Sequence, residues 1–157
     1  MSHLLHPPLL DEAGLKSALR WYVEGFAERS GIQVDLHINP DLPRLPQEVE
    51  TTIFRIVQES LTNIHRHSGS KNAFLRIEHQ AGNTHVEIRD QGRGIAQFDH
   101  SRNRPKKVGV GVQGMQERVR QLRGKFEISS GTDGTRVVVN LPSNSIAEKL
   151  RPEAEIA

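Results

Sequence analysis

The segment DQGRGI (residues 90–95) places a carboxylate and two glycines directly after a predicted β-strand. In the preceding THVEIR, Val86 and Ile88 share one face of the strand, and Asp90 falls on that same apolar face. A buried carboxylate is costly unless hydrogen-bond donors compensate for its lost hydration. The exocyclic amine of an adenine, together with an ordered water, would do so. The alternative is an ordinary strand-ending turn, since Asp and Gly both favour turns.

A second group of polar residues lies on a long helix predicted over residues 47–67. Glu59, Asn63, Arg66 and His67 fall within about one quadrant at roughly 100° per residue, beside the apolar arc of the helix. An Asn oxygen and a carboxylate suit Mg²⁺, which takes oxygen ligands and keeps several waters. The alternative is an exposed helix face with an ordinary pair of opposite charges. The apolar arc consists of Val49, Ile53, Ile56, Val57, Leu61 and Ile64.

The segment VGVGVQGM brings Gly109, Gly111 and Gly114 to the start of a predicted helix. Glycines let backbone amides approach phosphate oxygens, and a helix N-terminus adds positive potential. The upstream loop carries four cations that could neutralise a polyphosphate: Arg102, Arg104, Lys106 and Lys107. The alternative is a solvated polar loop. The segment is not a dinucleotide fingerprint, because it follows a long loop and not the first strand of a βαβ unit.

Thr135 begins the predicted strand TRVVVNL, in which Val137, Val139 and Leu141 share a face. Counting back by two places Thr135 on that same inward face. It would be a second inward polar group at the start of a strand, able to meet Asp90 through a water. The alternative is a β-branched residue that simply favours strands.

The remaining pattern predicts the order helix, strand, long helix, hairpin, loop, helix, hairpin. The first helix runs from an Asp11 cap to Gly31, and IQVDLHI alternates as a strand. The hairpins surround QAGN and GTDG, residues 97–112 form a loop, and the next helix runs from Val112 to Gly124. Consecutive hairpins favour a mixed, mainly antiparallel sheet, and amphipathic helices need one face of it to cover. The predicted fold is a two-layer α/β sandwich.

Composition narrows the classes of function. The 157 residues are about one domain in length, and the formal charge of +2 with 4% aromatic residues argues against nucleic-acid binding. The chain has no cysteine, which excludes thiolate chemistry and disulfides. No apolar run approaches the roughly 20 residues of a membrane span, and no signal peptide is evident. We expect a cytoplasmic protein.

The motifs ESLTN, DQGRGI, GVGVQGM and DGTRVVV occur in an order that resembles the ATP-binding catalytic domain of bacterial sensor histidine kinases. That domain belongs to the GHKL superfamily, which includes gyrase, heat-shock chaperone and mismatch-repair ATPases. The resemblance covers residues 30–142 and implies the GHKL type of sandwich. The segments LLHPPLLDEAGLKSALRW and GMQERVRQLRG are similar to the nitrate/nitrite-sensor type of kinase.

The resemblance implies a role for each motif. Asn63 would ligate Mg²⁺, Glu59 would assist catalysis, and Arg66 and His67 would lie near phosphate. Asp90 would receive the adenine amine, and Thr135 would share its water. The other residues that the resemblance assigns to ATP binding are Gly92, Gly94 and Ile95 beneath the base, and Gly109, Val110, Gly111, Val112, Gly114 and Met115 in a lid over the triphosphate.

The resemblance also implies how the chain relates to a larger kinase. Residues 1–29 resemble the end of a dimerisation hairpin and a connecting helix, and residues 143–157 form a tail. The hairpin that carries the phosphoacceptor histidine is missing, so we expect no self-phosphorylation by this chain, which should be a monomer cut from a homodimeric parent. A response regulator would be an indirect partner. The alternatives are an anti-sigma-factor serine kinase, a gyrase-like ATPase, and a nucleotide-binding module without catalysis.

Overall fold

The computed structural model describes residues 8–92, 98–99, 104–105, 110–131 and 133–143. For residues 98–99, 104–105 and 110 it describes the backbone alone. Gly94, Ile95, Gly109 and the tail from residue 144 onward, about which the sequence made predictions, lie outside the described residues.

The described strands are β1 (Gln33–Ile38), β2 (Asn72–Gln80), β3 (Asn83–Asp90), β4 (Phe98–Asp99), β5 (Arg104–Pro105), β6 (Lys125–Gly131) and β7 (Gly134–Pro142). Five of them form a mixed sheet, which is one layer of the fold, in the order β1-β2-β3-β7-β6. Strand β1 is parallel to β2, and the other neighbouring pairs are antiparallel. The predicted mixed, mainly antiparallel sheet is therefore confirmed.

The hairpin between β2 and β3 turns at Ala81 and Gly82, whose φ angles of 54° and 76° are both positive. Such a pair of left-handed residues matches the twist of a two-residue hairpin. The short ladder of β4 with β5 lies within the segment that was predicted to be a loop. That part of the prediction was incomplete, because two-residue strands leave no periodic signal in a sequence.

Helices form the second layer and cover one face of the sheet. They are α1 (Pro8–Ala13), α2 (Leu15–Ser30), α3 (Gln47–Asn63) with a π-helical turn over Ile64–Ser68, and α4 (Val110–Gln121). Ile53, Ile56 and Val57 of α3 are fully buried and meet the inward residues of the sheet, such as Leu75 and Val139, in one core. The two-layer sandwich is confirmed. Among the described residues, no helix is both long enough and apolar enough to cross a membrane.

The first helix differs from its prediction. It begins at Pro8 and not at an Asp11 cap, and it is interrupted at Gly14, where φ is 90°. Proline suits the first turn of a helix because its missing N–H is not needed there. Gly31 ends α2 in a left-handed conformation with φ of 76°, as predicted.

Candidate functional site

Asp90 ends β3 on the face that the helices cover, and only 7% of it is exposed. Its Oδ1 accepts hydrogen bonds from the backbone N–H of Gly92 at 2.7 Å and of Thr135 at 3.4 Å. The neighbouring Arg89 points to the opposite face, where its guanidinium lies 4.2 Å from the centroid of the Phe74 ring. The strand therefore buries a carboxylate that its adjacent arginine does not neutralise. The bond from Gly92 is also the hydrogen bond of the strand-ending turn that the sequence left open as the alternative.

Gly92 brings the end of β3 against the end of the long helix. A Cβ added at Gly92 would overlap the backbone carbonyl oxygen of Ser68 and approach the Ser68 Cβ to 2.6 Å. Ser68 is buried, and its hydroxyl donates to the Ile64 carbonyl at 2.8 Å and accepts the Ser70 N–H at 2.9 Å. The DQG segment at the end of β3 is thereby fixed to the turn that follows the helix carrying the ESLTN motif. Ser68 was missed by the sequence analysis, because nothing in its local pattern marks a contact with a residue so distant in the chain.

Thr135 donates its backbone N–H to Asp90, and its hydroxyl also has a partner in the second hairpin. Its Oγ1 lies 3.1 Å from the Oγ of Ser130, its cross-strand partner in the second hairpin. Gly134, with φ of 121°, packs on Asp90, and an added Cβ would lie 2.9 Å from Oδ1 and overlap the Asp90 carbonyl oxygen. Gly134 and Ser130 were not assigned to the site, although the register of a hairpin around GTDG could have paired Ser130 with Thr135.

Glu59 on α3 lies directly against Gly111 in the first turn of α4. A Cβ at Gly111 would overlap the Glu59 carboxylate, with Oε1 at 2.9 Å. Glycine at this position lets the backbone of α4 approach the carboxylate closely. The structure therefore brings together one residue from the ESLTN motif and one from the GVGVQGM motif.

Tyr22 of α2 also lies near Glu59, and its hydroxyl hydrogen-bonds the Thr62 side chain. Burial raises the pKa of Tyr22 above its usual value, and the negative charge of Glu59 acts in the same direction. Arg29 and the bond with Thr62 oppose this rise in the pKa. Tyr22 was not among the predicted site residues, because in the sequence it belongs to the pattern of the first helix.

The described residues of the GVGVQGM motif, from Val110 onward, lie inside α4 and not before it. The helix begins at Val110, two residues earlier than predicted, so Gly111 and Gly114 are helical. Val112 and Met115, 9% and 4% exposed, belong to the hydrophobic core, and the Met115 sulfur lies 3.9 Å from the Ser60 hydroxyl. A Cβ at Gly114 would meet no atom within 4 Å.

Asn63 is the last residue of α3, and a π-helical turn with Arg66 and His67 follows. The prediction of one continuous α-helix to residue 67 was wrong in this last turn. A π-turn closes through i→i+5 bonds and is wider than an α-turn, so the roughly 100° step no longer applies beyond Asn63. Both Arg66 and His67 are exposed. Such turns are frequent at functional sites.

A hollow of about 510 Å³ lies where β1, β2 and β3 meet, and Asp90 forms part of its wall. Most of its other lining comes from the side of the sheet without helices, including Asp35, Phe74 and Arg89. Glu59 and Gly111 do not line it. The hollow therefore reaches Asp90 from the face of the sheet that no helix covers. It is separate from the contact between Glu59 and Gly111 on the helical side.

Comparison with known proteins agrees with this arrangement. Residues 48–145 match the family model described as histidine kinase-, DNA gyrase B-, and HSP90-like ATPase. The signal transduction histidine-protein kinase/phosphatase DegS of Brevibacillus brevis is 38% identical over 135 residues, which are 85% of this chain and 33% of that protein. The oxygen sensor histidine kinase NreB of Staphylococcus carnosus is 33% identical over 139 residues, covering 88% of this chain and 39% of that protein. The chain thus spans about a third of the length of these relatives.

A solved structure gives the same picture. The histidine kinase domain of the blue-light activated histidine kinase EL346 from Erythrobacter litoralis superposes with a TM-score of 0.69 at 25% identity, over 82% of this chain and 60% of that one. The family match covers more than half of the chain and contains Glu59, Asn63, Asp90, Gly111 and Thr135. The chain therefore belongs to the family of histidine kinase-, DNA gyrase B- and HSP90-like ATPases, as a module of the kind found in sensor histidine kinases.

Proposed function

We propose that this chain binds Mg-ATP through Asp90 and supplies the γ-phosphate to a histidine on a separate dimerisation helix. The observation that carries the proposal is the Asp90 carboxylate, which is buried at the end of β3 while Oδ1 is held by two backbone N–H groups. In this proposal Oδ2 accepts the exocyclic amine of adenine, and the Thr135 hydroxyl shares a water with the carboxylate. Guanine carries an oxygen where adenine carries that amine, so the same carboxylate would discriminate against GTP.

The close packing of glycines around the two carboxylates supports this assignment. Gly92 and Gly134 border Asp90, and Gly111 borders Glu59, each at a place where a side chain would overlap a neighbour. Glycine at these places lets neighbouring segments pack against the two carboxylates and hold them in position. The residues that would complete the enclosure of the nucleotide are Gly94, Ile95 and Gly109.

For Mg²⁺ we propose Asn63 as the protein ligand. The described residues contain no group of three His, Asp or Glu side chains that would hold a metal alone. Mg²⁺ bound with a nucleotide needs no such group, because phosphates and waters supply most of its six oxygens. The bound ion would neutralise phosphate charge, while Glu59 orients the attacking group and Arg66 and His67 lie near the phosphates. Arg66 and His67 are both exposed, so they can reach a ligand without rearrangement of the core.

The partners follow from the same proposal. The phosphoacceptor histidine would lie on the dimerisation hairpin of a homodimeric parent, and the phosphoryl group would pass from it to a response regulator. Residues 1–29 would connect to that hairpin, residues 30–142 would form the catalytic domain, and residues 143–157 a tail. The site of action would be the cytoplasm, where ATP is abundant.

The test of the adenine assignment is Asp90→Asn, which keeps an oxygen for the N–H groups of Gly92 and Thr135 but replaces the other acceptor by a donor. Calorimetric titration with Mg-ATP and Mg-GTP should show ATP selectivity in the native chain. The variant should lose at least about tenfold in ATP affinity and shift its preference toward GTP. Asp41→Asn, an exposed loop carboxylate, is the matched control and should change neither affinity. Unchanged selectivity in Asp90→Asn would refute the assignment.

The transfer step needs its own variant. Glu59→Gln removes a charge and keeps the shape of the side chain, so Mg-ATP binding should persist. Transfer of radiolabelled γ-phosphate to an added acceptor hairpin should fall by about 10²–10⁴-fold. Equal transfer rates would exclude a catalytic role for Glu59 without affecting the assignment of Asp90. A chain that binds ATP but transfers nothing, even with every site residue intact, would instead be a non-catalytic nucleotide-binding module.

A further inference from the structure

Strand β1 lies at the edge of the sheet and presents backbone groups to which another strand can pair. Among the described strands it pairs only with β2. The N–H of Gln33 donates to the Lys71 carbonyl and that of Asn39 to the Ile77 carbonyl, both at 2.9 Å. Because bonding alternates along a parallel strand, residues 33, 35, 37 and 39 direct their backbone groups toward β2. The three residues between them, Val34, Leu36 and Ile38, direct theirs away from the sheet.

The side chains of β1 are also incompletely covered. Val34, Leu36 and Ile38 are half-buried against the helical layer, whereas the residues opposite them on β2 are at most 4% exposed. Natural edge strands often block further pairing with lysine, proline or a bulge. Strand β1 contains neither lysine nor proline, and its register with β2 is continuous over six residues.

The sequence of β1 is complementary to itself in the antiparallel direction. When Leu36 is set opposite Leu36 of a second copy, Val34 faces Ile38 and Asp35 faces His37. Apolar side chains then meet on the helical face, and acid meets base on the open face. The side chains of Asp35 and His37 are 68% and 56% exposed. Within one chain Asp35 Oδ1 lies 2.9 Å from His37 Nε2, and both side chains keep enough exposed surface to exchange this contact for one with a second chain.

We propose that β1 is a homotypic docking edge that pairs antiparallel with β1 of a second copy, about a two-fold axis at Leu36. The outward backbone groups fit this register, because residues 34, 36 and 38 would form the hydrogen-bonded pairs. Residues 35 and 37 would then form the closer, non-bonded pairs, where side chains interact most strongly. The two five-stranded sheets become one continuous sheet.

The pairing is weak because the paired surface is small. One six-residue strand pair covers less than the roughly 1,200 Å² of a stable interface, so we expect a dissociation constant on the order of 0.1–1 mM. The free chain is then monomeric at micromolar concentration. Two copies tethered in one parent dimer would reach an effective concentration of about 1 mM, at which the edges pair. Whether the two β1 edges pair would thus depend on how close a parent protein holds its two catalytic modules to each other.

Hydrogen exchange at increasing protein concentration tests the pairing directly. Between about 10 µM and about 1 mM, sedimentation should show a monomer–dimer equilibrium. Over the same range the amides of Val34, Leu36 and Ile38 should gain protection, while the alternate amides, already bonded to β2, should not change. A monomer throughout, or protection gained on another element, would overturn the proposal.

Charge exchange across the axis supplies a second test. Asp35→Lys and His37→Glu each destroy both complementary pairs and should each raise the dissociation constant about tenfold. An equimolar mixture of the two variants should associate again. Between unlike chains the introduced lysine faces the introduced glutamate, and the remaining His37 of one chain faces the remaining Asp35 of the other.

The control for this test is Glu127→Lys. It replaces an exposed acidic residue by lysine, as Asp35→Lys does, but on β6 at the opposite edge of the sheet. It should leave association unchanged, because β6 takes no part in the pairing. Association unaffected by the single changes at β1, or no gain on mixing, would overturn the proposal.

Discussion

The Glu59 carboxylate and Gly111 are in direct contact, although they lie on different helices, and a Cβ at Gly111 would overlap the carboxylate. The atoms it would displace are the free end of a flexible side chain. Gly111→Ala can therefore be accommodated by moving the carboxylate, and alanine stabilises a helix by about 0.5–1 kcal/mol relative to glycine. We expect equal or higher thermal stability, retained ATP binding and at least about tenfold slower phosphoryl transfer.

Gly114→Ala is the matched control, since it lies on the same helix and its Cβ would meet no atom within 4 Å. It should gain helical stability without displacing the Glu59 carboxylate. Phosphoryl transfer at the native rate in Gly111→Ala would show that the position of the Glu59 carboxylate does not matter to the reaction.

Gly134 packs against Asp90, and here we expect alanine to lower the stability of the fold as well as the affinity for ATP. Gly134 has φ of 121°, and the atoms that a Cβ would meet include the rigid backbone of Asp90. Gly134→Ala should lower the free energy of unfolding by about 1–3 kcal/mol and weaken ATP binding together. Gly131→Ala, in the same hairpin with no atom within 4 Å of its Cβ, is the control for both quantities. Denaturant unfolding and calorimetry measure them, and equal stability of the two variants would contradict the strain at Gly134.

The sequence predicted those features of the site that depend on local periodicity. Strand alternation placed Asp90 on the covered face, and helical spacing placed Glu59 and Asn63 on one side of α3. Contacts between distant segments had no local signal. The packing of Gly92 and Gly111 on their neighbours depends on how layers meet, and the π-turn after Asn63 breaks the regular period.

Glu87, on the other face of the sheet, is another residue whose burial could not be predicted from the pattern of its own strand. Alternation assigns it to the polar face, yet it is 2% exposed because three arginines cover it. Arg136 Nε lies 2.6 Å and Arg76 Nη2 3.0 Å from its carboxylate oxygens, and Arg89 Nη1 lies 3.8 Å away. Side chains from three strands form this cover, and no single strand's pattern contains it.

The arginine cluster predicts a loss of stability in acid. Burial alone would raise the pKa of Glu87, but hydrogen bonds and charges from Arg136, Arg76 and Arg89 outweigh it and lower the pKa. A carboxyl whose pKa is lower in the folded chain stabilises the fold above its unfolded pKa, and this contribution disappears as the pH falls through the folded pKa. At pH 7, Glu87→Gln should therefore cost about 1–3 kcal/mol of unfolding free energy.

The difference between Glu87→Gln and the native chain should shrink as the pH falls below about 4, because protonated Glu87 is equivalent to the neutral amide. Urea unfolding at a series of pH values measures this. Glu127→Gln removes an exposed carboxylate from the same face and is the control. A difference that stays constant from neutral to acid pH would mean that the pKa of Glu87 is the same in the folded and the unfolded chain, and that the arginines do not lower it.

Gly14 separates α1 from α2, and its replacement by alanine should destabilise the fold. Gly14 has φ of 90°, and its Cβ would come within 2.8 Å of Arg44 Cδ. The Arg44 guanidinium is held there by Glu50 at 3.2 Å and by the Asp11 carbonyl at 3.1 Å, so it cannot move aside without losing these bonds. Gly14→Ala should therefore lower the unfolding free energy by about 1–2 kcal/mol.

The matched control for Gly14→Ala is Gly25→Ala, which should change the unfolding free energy in the opposite direction. Gly25 is in the middle of α2, and its Cβ would meet only the far end of the flexible Arg29 side chain, whose guanidinium lies 5.9 Å from the centroid of the Tyr22 ring. Alanine should therefore raise the unfolding free energy by about 0.5–1 kcal/mol. Thermal unfolding of the two variants compares them directly. A stabilising Gly14→Ala would mean that α1 and α2 can join as one straight helix, and that the Arg44 contact does not hold the break between them.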